Sequence, residues 1–241
     1  MNKIDEILEY YIEWQSIVEE PDYKEKPQIE QEQIRLEYDV DAKYFKGLGC
    51  SDETALYADV IVSFWTIYKT LLSNEANWHV FKTLKSLQAL KRQIDASGKY
   101  SKKILEVNDM LSSFAEVCYT KGNYMLLPSG ARMMNKQRYQ FMEDRVDSTL
   151  YQCFSKGLLS KFFSSDDAVK EWVIEQKLDK MFSGGIVSAE NVIWMTNAES
   201  PKLISEMSTE EIKEYVHNAI QFIKERGSRL RKEVCVNTSS K

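Results

Sequence analysis

The sequence predicts a mainly α-helical fold with a minor β component. Apolar residues recur at three- to four-residue spacing along most of the 241 positions, only 9 Gly and 4 Pro interrupt them, and charged residues (29%) fall between the apolar ones as solvated helix faces require. A hydrophobic content of 43% supplies a sizeable core and excludes collagen-like or mainly disordered chains. With no internal repeat, low-complexity tract or long linker, the expectation is one compact domain over residues 1–241, of about six to eight helices.

The first element runs from Lys3 to Val18, where Ile4, Ile7, Leu8, Tyr11, Ile12 and Ile17 share a face and acids crowd the N-terminal turn. Pro21 and Pro27 bracket a polar run, so a flexible loop is expected at about 19–33. Leu36, Tyr38, Val40, Ala42 and Tyr44 alternate strictly with polar residues, which predicts a strand near 36–44. From Leu56 to Leu72 the apolar spacing predicts a buried helix, with a strand as the lesser alternative because of its β-branched cluster. Further helices are predicted at about 76–96 and 102–119, separated by Ser97-Gly98.

Gly122, Pro128 and Gly130 make Thr120 to Met134 a structured loop with a short extended piece at Tyr124 to Leu127. Helices resume at about 143–163 and 166–182, the second capped by Ser164-Ser165 and stopped by Gly184-Gly185. Ser208-Thr209-Glu210-Glu211 has the spacing of a capping box and opens a last helix through Ile212, Tyr215, Val216, Ala219 and Ile223. A frayed tail is expected at about 236–241.

Charge narrows the function classes. A net charge of −5 gives the whole chain no attraction for a polyanion, so nucleic-acid binding requires a local patch. Two exist. Lys82, Lys85, Lys91, Arg92, Lys99, Lys102 and Lys103 are opposed by Asp95 alone, and Lys224, Arg226, Arg229, Arg231 and Lys232 by Glu225 and Glu233. The second also complements the negative end of the helix before it. The apolar stretch Val60 to Tyr68 is far below the roughly 20 residues of a membrane span, so no membrane association is expected. Acids in the first turn argue against a secretory signal, and cytoplasmic residence is the expectation.

Cys50, Cys118, Cys153 and Cys235 are scattered without a C-x-x-C pair, which excludes a zinc finger or a dense disulfide framework. Two histidines, His79 and His217, cannot build a three-imidazole site or an H-E-x-x-H helix. No glycine-rich phosphate loop occurs, so neither a metal nor a cofactor is implied. Asp41-Ala42-Lys43, with Asp39, matches the carboxylate-lysine spacing of Mg²⁺-dependent nucleases, although the polar face of a strand accounts for it as well. Cys118 and Ser129 are conceivable nucleophiles with no adjacent base.

The most distinctive text is Tyr119-Thr120-Lys121-Gly122-Asn123 through Leu127-Pro128, followed by Arg132, Asn135, Arg138, Asp144 and Arg145. A glycine-asparagine turn aims backbone amides outward, so Lys121, Gly122, Asn123, Arg132, Asn135, Arg138 and Asp144 form the candidate anion- or ligand-binding set. The alternative is a tight turn that anchors Tyr124 to Leu127 in the core. The segment resembles a T-x-G-N…L-P pattern of uncharacterised bacterial and phage-type proteins, a resemblance that implies no activity. Gly122-Asn123 before Met125-Leu126-Leu127 also resembles the G-N-L-T-L-L segment of HNH-type nuclease domains, whose chemistry needs upstream histidines, where this chain has only His79.

Two functions follow as expectations. The first is a non-catalytic interaction or regulatory protein with a protein partner, a homodimer being compatible with the aromatic content, and a role in bacterial or phage defence resting on the resemblance. The alternative is a phosphate-handling or nucleic-acid-acting enzyme using the Lys121–Asn123 loop with Arg132 and Arg138.

Overall fold

The computed structural model describes residues 3–38, 58–64, 66–68, 83–97, 102–128, 131–141, 143–196 and 202–238. These residues are mainly helical, with a small two-stranded sheet, as the sequence predicts. The chain divides into two compact units, one of Met1–Leu56 with Phe64–Glu116 and the other of Tyr57–Ser63 with Val117–Lys241.

The first unit contains α1 (Lys3–Glu19), α2 (Pro21–Glu25), α3 (Gln28–Tyr38), α4 (Leu84–Ser97) and α5 (Lys102–Ala115). Helix α1 packs against α4 and α5. Leu8, Leu87 and Leu111 are buried, and the Phe64 ring stands 5.7 Å from both Tyr68 and Phe114. Thr83 caps α4 by accepting the Ser86 N–H at 3.2 Å. Glu19, at the end of α1, accepts the Leu84 N–H at 2.6 Å, and this backbone bond, with a second from Gln15, holds its carboxylate below the usual range. Lys91 of the predicted basic band pairs with Glu9. Lys82 and Lys99 lie outside the described residues.

The second unit is built on β1 (Ala58–Val60) and β2 (Tyr124–Leu126), antiparallel with Asp59 opposite Met125. Around them lie α6 (Ala131–Phe141), α7 (Val146–Gln152), α8 (Asp166–Glu175) and the 30-residue α9 (Thr209–Thr238). Side chains of α8 and of the residue just past its end take both backbone groups of Leu126. Its carbonyl accepts from Trp172 Nε1 and its N–H donates to Gln176 Oε1, both at 2.8 Å. Strand β2 therefore offers no free edge at that residue.

Several expectations are corrected. The loop expected at about 19–33 is mostly helical. Pro21 occupies the first turn of α2, where a missing N–H is harmless, and the Pro27 carbonyl accepts from Glu30 and Gln31 to start α3. The strand expected near 36–44 is helical at residues 36–38, because the Gln-, Glu- and Arg-rich run before them favours helix over a short alternation; residues 39–44 lie outside the described set. The helix expected over 56–72 is replaced at residues 58–60 by β1 and is helical at residues 64 and 66–68; of the β-branched cluster, Val60 takes the strand alternative while Ile61 and Val62 lie in the bend that follows. Helix α6 stands where a loop was read through Met134. The helix expected at 143–163 stops at Gln152, whose carbonyl accepts from Leu159 as the chain doubles back. The one expected at 166–182 stops at Glu175, before Lys177 at φ 57°. The tail expected to fray from 236 is helical to Thr238.

The predicted caps hold, and the glycine stop does not. Ser165 Oγ accepts the Ala168 N–H at 3.2 Å. Gly184 and Gly185, at φ 62° and 70°, do not stop α8 as expected, since they lie in a separate 3₁₀ turn beyond its end. The capping box is complete: Glu211 N–H donates to Ser208 Oγ at 3.2 Å, and Ser208 N–H to Glu211 Oε2 at 2.7 Å.

Two glycines on facing segments carry opposite expectations. A Cβ at Gly122 would lie 1.9 Å from the Ile223 carbonyl oxygen, whereas one at Gly227, inside α9, would meet nothing nearer than the Gly122 nitrogen at 3.5 Å. In thermal or urea melts, Gly122→Ala should destabilise by roughly 3–5 kcal/mol through forced backbone separation. Gly227→Ala should stabilise by about 0.5–1 kcal/mol, the helix-propensity gain.

Glu211 predicts an acid response. The Lys202 ammonium, then the Ser208 N–H and hydroxyl, lower its carboxyl from 4.5 to about 2. The unfolded chain therefore binds the proton more tightly, so the contribution is complete above about 4.5 and is lost as pH falls toward about 2. Urea midpoints measured against pH should lose part of their slope in that window in Glu211→Gln.

Candidate functional site

The candidate residues sort by where their polar atoms point. Lys121, Gly122 and Asn123 form a 3₁₀ turn leading into β2, with Gly122 and Asn123 buried and Lys121 half-buried. Asn123 is fully enclosed, and its side chain acts as a backbone surrogate. Nδ2 donates to the carbonyls of Val62 at 3.0 Å and Cys118 at 2.8 Å, while Oδ1 accepts the Val62 N–H at 3.0 Å. The Ile61 N–H donates to its carbonyl at 2.7 Å. One asparagine thus satisfies the chain as it leaves β1.

Arg138, from α6, reaches the same segment. Its Nη1 is paired with Asp59, Nη2 donates to the Val60 carbonyl at 3.0 Å, and Nε donates to Thr149 Oγ1 at 2.8 Å. The guanidinium is wholly buried, and burial pulls its pKa down against the opposing pull of Asp144, 4.0 Å away. Gly122, Asn123, Arg138 and Asp144 are therefore brought together around residues 59–62. Asn135 is half-buried on α6, and the Arg132 side chain lies outside the described set.

The charged cluster is larger than the sequence suggested. Glu143 and Asp144 are adjacent residues in left-handed conformation, at φ 53° and 54°, a turn that costs roughly 1–2 kcal/mol per residue. The Glu143 carboxylate accepts the Ile204 N–H. The turn delivers Arg145 inward, where Nε and Nη2 form a fork with Asp147 at 3.0 and 2.6 Å. Burial opposes the Arg145 charge, yet Asp147, Tyr215 and Glu143 together outweigh it and the pKa moves up. Asp147 also accepts the N–H groups of Ser148 at 2.7 Å and Met195 at 3.1 Å. The Tyr215 ring lies 5.0 Å beneath the Arg145 guanidinium, within cation–π range.

Sequence reading did not place Asp59, Glu143, Asp147, Tyr215 or Arg226 in the candidate set, and it named Arg145 only in the text around that set. The one available signal was the density of Glu143-Asp144-Arg145-x-Asp147 ahead of an apolar helix face. Arg226 was read as part of a solvated basic run, but is buried. It donates to the carbonyls of Gln176, Lys121, Gly122 and Tyr124 at 2.7–3.0 Å.

Chemically, the cluster is built to hold charge still. Burial raises the thiol pKa of Cys153, keeping it protonated, and burial with the Asp147 charge does the same for the Tyr215 phenol. Ser129, His79 and the Asp39, Asp41 and Lys43 set lie outside the described residues. His217 is exposed on α9, 2.9 Å from Gln221 Nε2. No group of His, Cys, Asp and Glu among the described residues is arranged to hold a metal ion, and no described helix is long and apolar enough to cross a membrane. No protein-family model, curated protein or solved structure matches the chain.

The Arg138–Asp59 pair makes a coupled prediction. Arg138→Met leaves the Asp59 carboxylate buried without its counter-ion and should destabilise by roughly 3–5 kcal/mol in urea titrations. Adding Asp59→Asn removes the stranded charge, so the double variant should recover part of that loss. Strict additivity of the two single changes would show that the pair is not coupled.

Proposed function

We propose that the protein acts as a non-catalytic interaction or regulatory module that binds another protein. The division of labour in its second unit carries this reading: Asn123, Arg138 and Arg226 direct their donors at the protein's own backbone, while large apolar side chains face solvent beside them. Ile186 is 62% exposed and Ile193 43% exposed. Ile186 lies within the loop closed by the antiparallel bridge of Phe182 and Val192, and Ile193 directly follows it. Tyr151, also exposed, has its ring 5.5 Å from that of Trp194, the residue after Ile193, in a tilted contact. Aromatic and aliphatic groups held on short, bridged segments are the usual anchors of a protein interface.

The rival, a phosphate-handling or nucleic-acid-acting enzyme on the Lys121–Asn123 loop, has less support because Asn123 Nδ2 and the Nε, Nη1 and Nη2 of Arg138 are already bonded within the protein. A role in bacterial or phage defence, and residence in the cytoplasm, complete the proposal. The first draws on the resemblance of the Thr120–Pro128 segment, and the second on the scattered cysteines.

Ile193→Asp should leave the melting temperature unchanged, since the side chain is already wetted, and should abolish co-purification of a partner from the source cells. Ile174→Asp, at a 55% exposed apolar position on α8, serves as the matched control and should retain the partner. Equal behaviour of the two variants, or turnover of a substrate abolished by a single substitution, overturns the proposal.

A further inference from the structure

Alongside α9 in the second unit, two concavities adjoin and share Lys180 and Glu225. The first, about 270 Å³, is lined by Met181, Ile193, Trp194 and Phe222, with the side-chain amides of Asn218 and Gln221 on the α9 side. The second, about 400 Å³, is lined by Lys180, Lys224, Ser228 and Arg229. Both are near the lower end of the roughly 300–1,000 Å³ typical of small-ligand sites.

The polar groups here are arranged differently from the buried network. Arg229 is pre-oriented, with Nη2 on Asp179 Oδ1 at 2.6 Å and Nη1 3.5 Å from the Lys177 carbonyl, so Asp179 is already engaged. Lys180 and Lys224 are exposed and have no ion-pair partner among the described residues. Lys180 and Glu225 line both concavities, so an acid and a cation stand together where the apolar half meets the cationic half. Asn218 Nδ2 donates to the Met195 carbonyl at 2.6 Å, which fixes the amide and leaves Oδ1 as an acceptor.

We propose that this groove binds a nucleoside monophosphate. The order of chemistry along it is an apolar wall with amides, then Glu225 and Lys180 where the two concavities meet, then Lys224 and Arg229. That order matches a base, a sugar and a phosphate. Trp194 and Phe222 give the base an apolar surface, and Asn218 and Gln221 read its edge. Glu225 accepts from the sugar hydroxyls, as a carboxylate does in dinucleotide sites. Lys180, Lys224 and the fixed guanidinium of Arg229 take the phosphate. Because the cations are solvated, affinity is salt-dependent, and the apolar half must contribute for the nucleotide to exceed free phosphate. The proposal goes beyond the partner-binding reading and does not depend on it, since ligand binding is measured on the isolated protein.

Isothermal titration of the full chain tests it, with adenosine and uridine 5′-monophosphates, adenosine and inorganic phosphate as separate ligands. A nucleotide should bind at least about tenfold more tightly than phosphate or nucleoside alone, a difference of about 1.4 kcal/mol. Lys224→Glu and Lys180→Glu should each weaken the nucleotide by about tenfold or more. Glu225→Gln should narrow the preference for adenosine monophosphate over its 2′,3′-dideoxy form. Lys170→Glu, an exposed charge change on α8, should leave binding intact, and unchanged melting temperatures establish that all four variants fold. Absence of nucleotide binding, phosphate binding as tightly as nucleotide, or equal weakening by Lys170→Glu overturns the proposal.

Discussion

The second unit depends on one buried guanidinium. Arg226 projects from the middle of α9 into the turn before β2, where it meets the carbonyls of Lys121, Gly122 and Tyr124, and it bonds the Gln176 carbonyl just past α8. These oxygens belong to a turn and a helix end, where intrahelical donors run out. A lysine could reach one or two of them, but a planar fork serves several at fixed angles. Gly122 then permits contact: without a Cβ, its backbone comes against the Ile223 carbonyl, one turn before Arg226. Once the turn is seated, Asn123 faces Val62, β1 is held against β2, and Asp59 stands opposite Arg138.

Such a core is unusual in carrying its specificity on charge. An ion pair buried like Arg138 with Asp59 gains little net stability over a well-packed apolar pair, because desolvation offsets most of the attraction. A pair of that kind instead penalises wrong arrangements. If β1 slipped by one residue, Asp59 would turn to the other face and Arg138 would lose its partner. The short strands, three residues each, have few ladder bonds with which to fix their own register. The Arg138 and Asn123 contacts therefore do for β1 what length does in a larger sheet.

The legibility of this arrangement in the sequence follows its range. Local signals were readable: Ser165 and Ser208 cap the helices they precede, Gly184-Gly185 takes left-handed backbone, and Tyr124 to Leu126 is extended as the surrounding Gly and Pro implied. Failures came where one pattern fitted two structures. The apolar run from Val60 onward fits helical spacing and β propensity alike, and the bend it takes after β1 is held by Asn123, sixty-one residues away from Val62. Prolines 21 and 27 were read as breakers when they begin helices. At the candidate site, Gly122-Asn123 was correctly recognised as a special turn, but nothing local distinguishes an asparagine aimed at a ligand from one aimed at its own backbone. Arg226 was hidden for the same reason, since a buried arginine and a solvated one have identical neighbours in the sequence Lys224-Glu225-Arg226.

The buried network also bears on the exposed face. Asp147, oriented by the Arg145 fork, accepts the Met195 N–H, and Asn218 of α9 holds the Met195 carbonyl, so both backbone groups of Met195 are pinned. Two residues earlier, the Ile193 N–H is bound to the Met181 carbonyl at 2.8 Å. The segment that presents Ile193 and Trp194 to solvent is thus fixed at both ends, although it belongs to no helix. Ordering such a segment in advance lowers the conformational entropy lost when anything binds to it. An apolar pair on a free loop would collapse or move, whereas here the charge placed inside the fold keeps the apolar surface outside it. The interior and the outer face are consequently one mechanical unit, and the inward turn of so many polar groups is what makes a rigid, apolar exterior attainable in a chain with 29% charged residues.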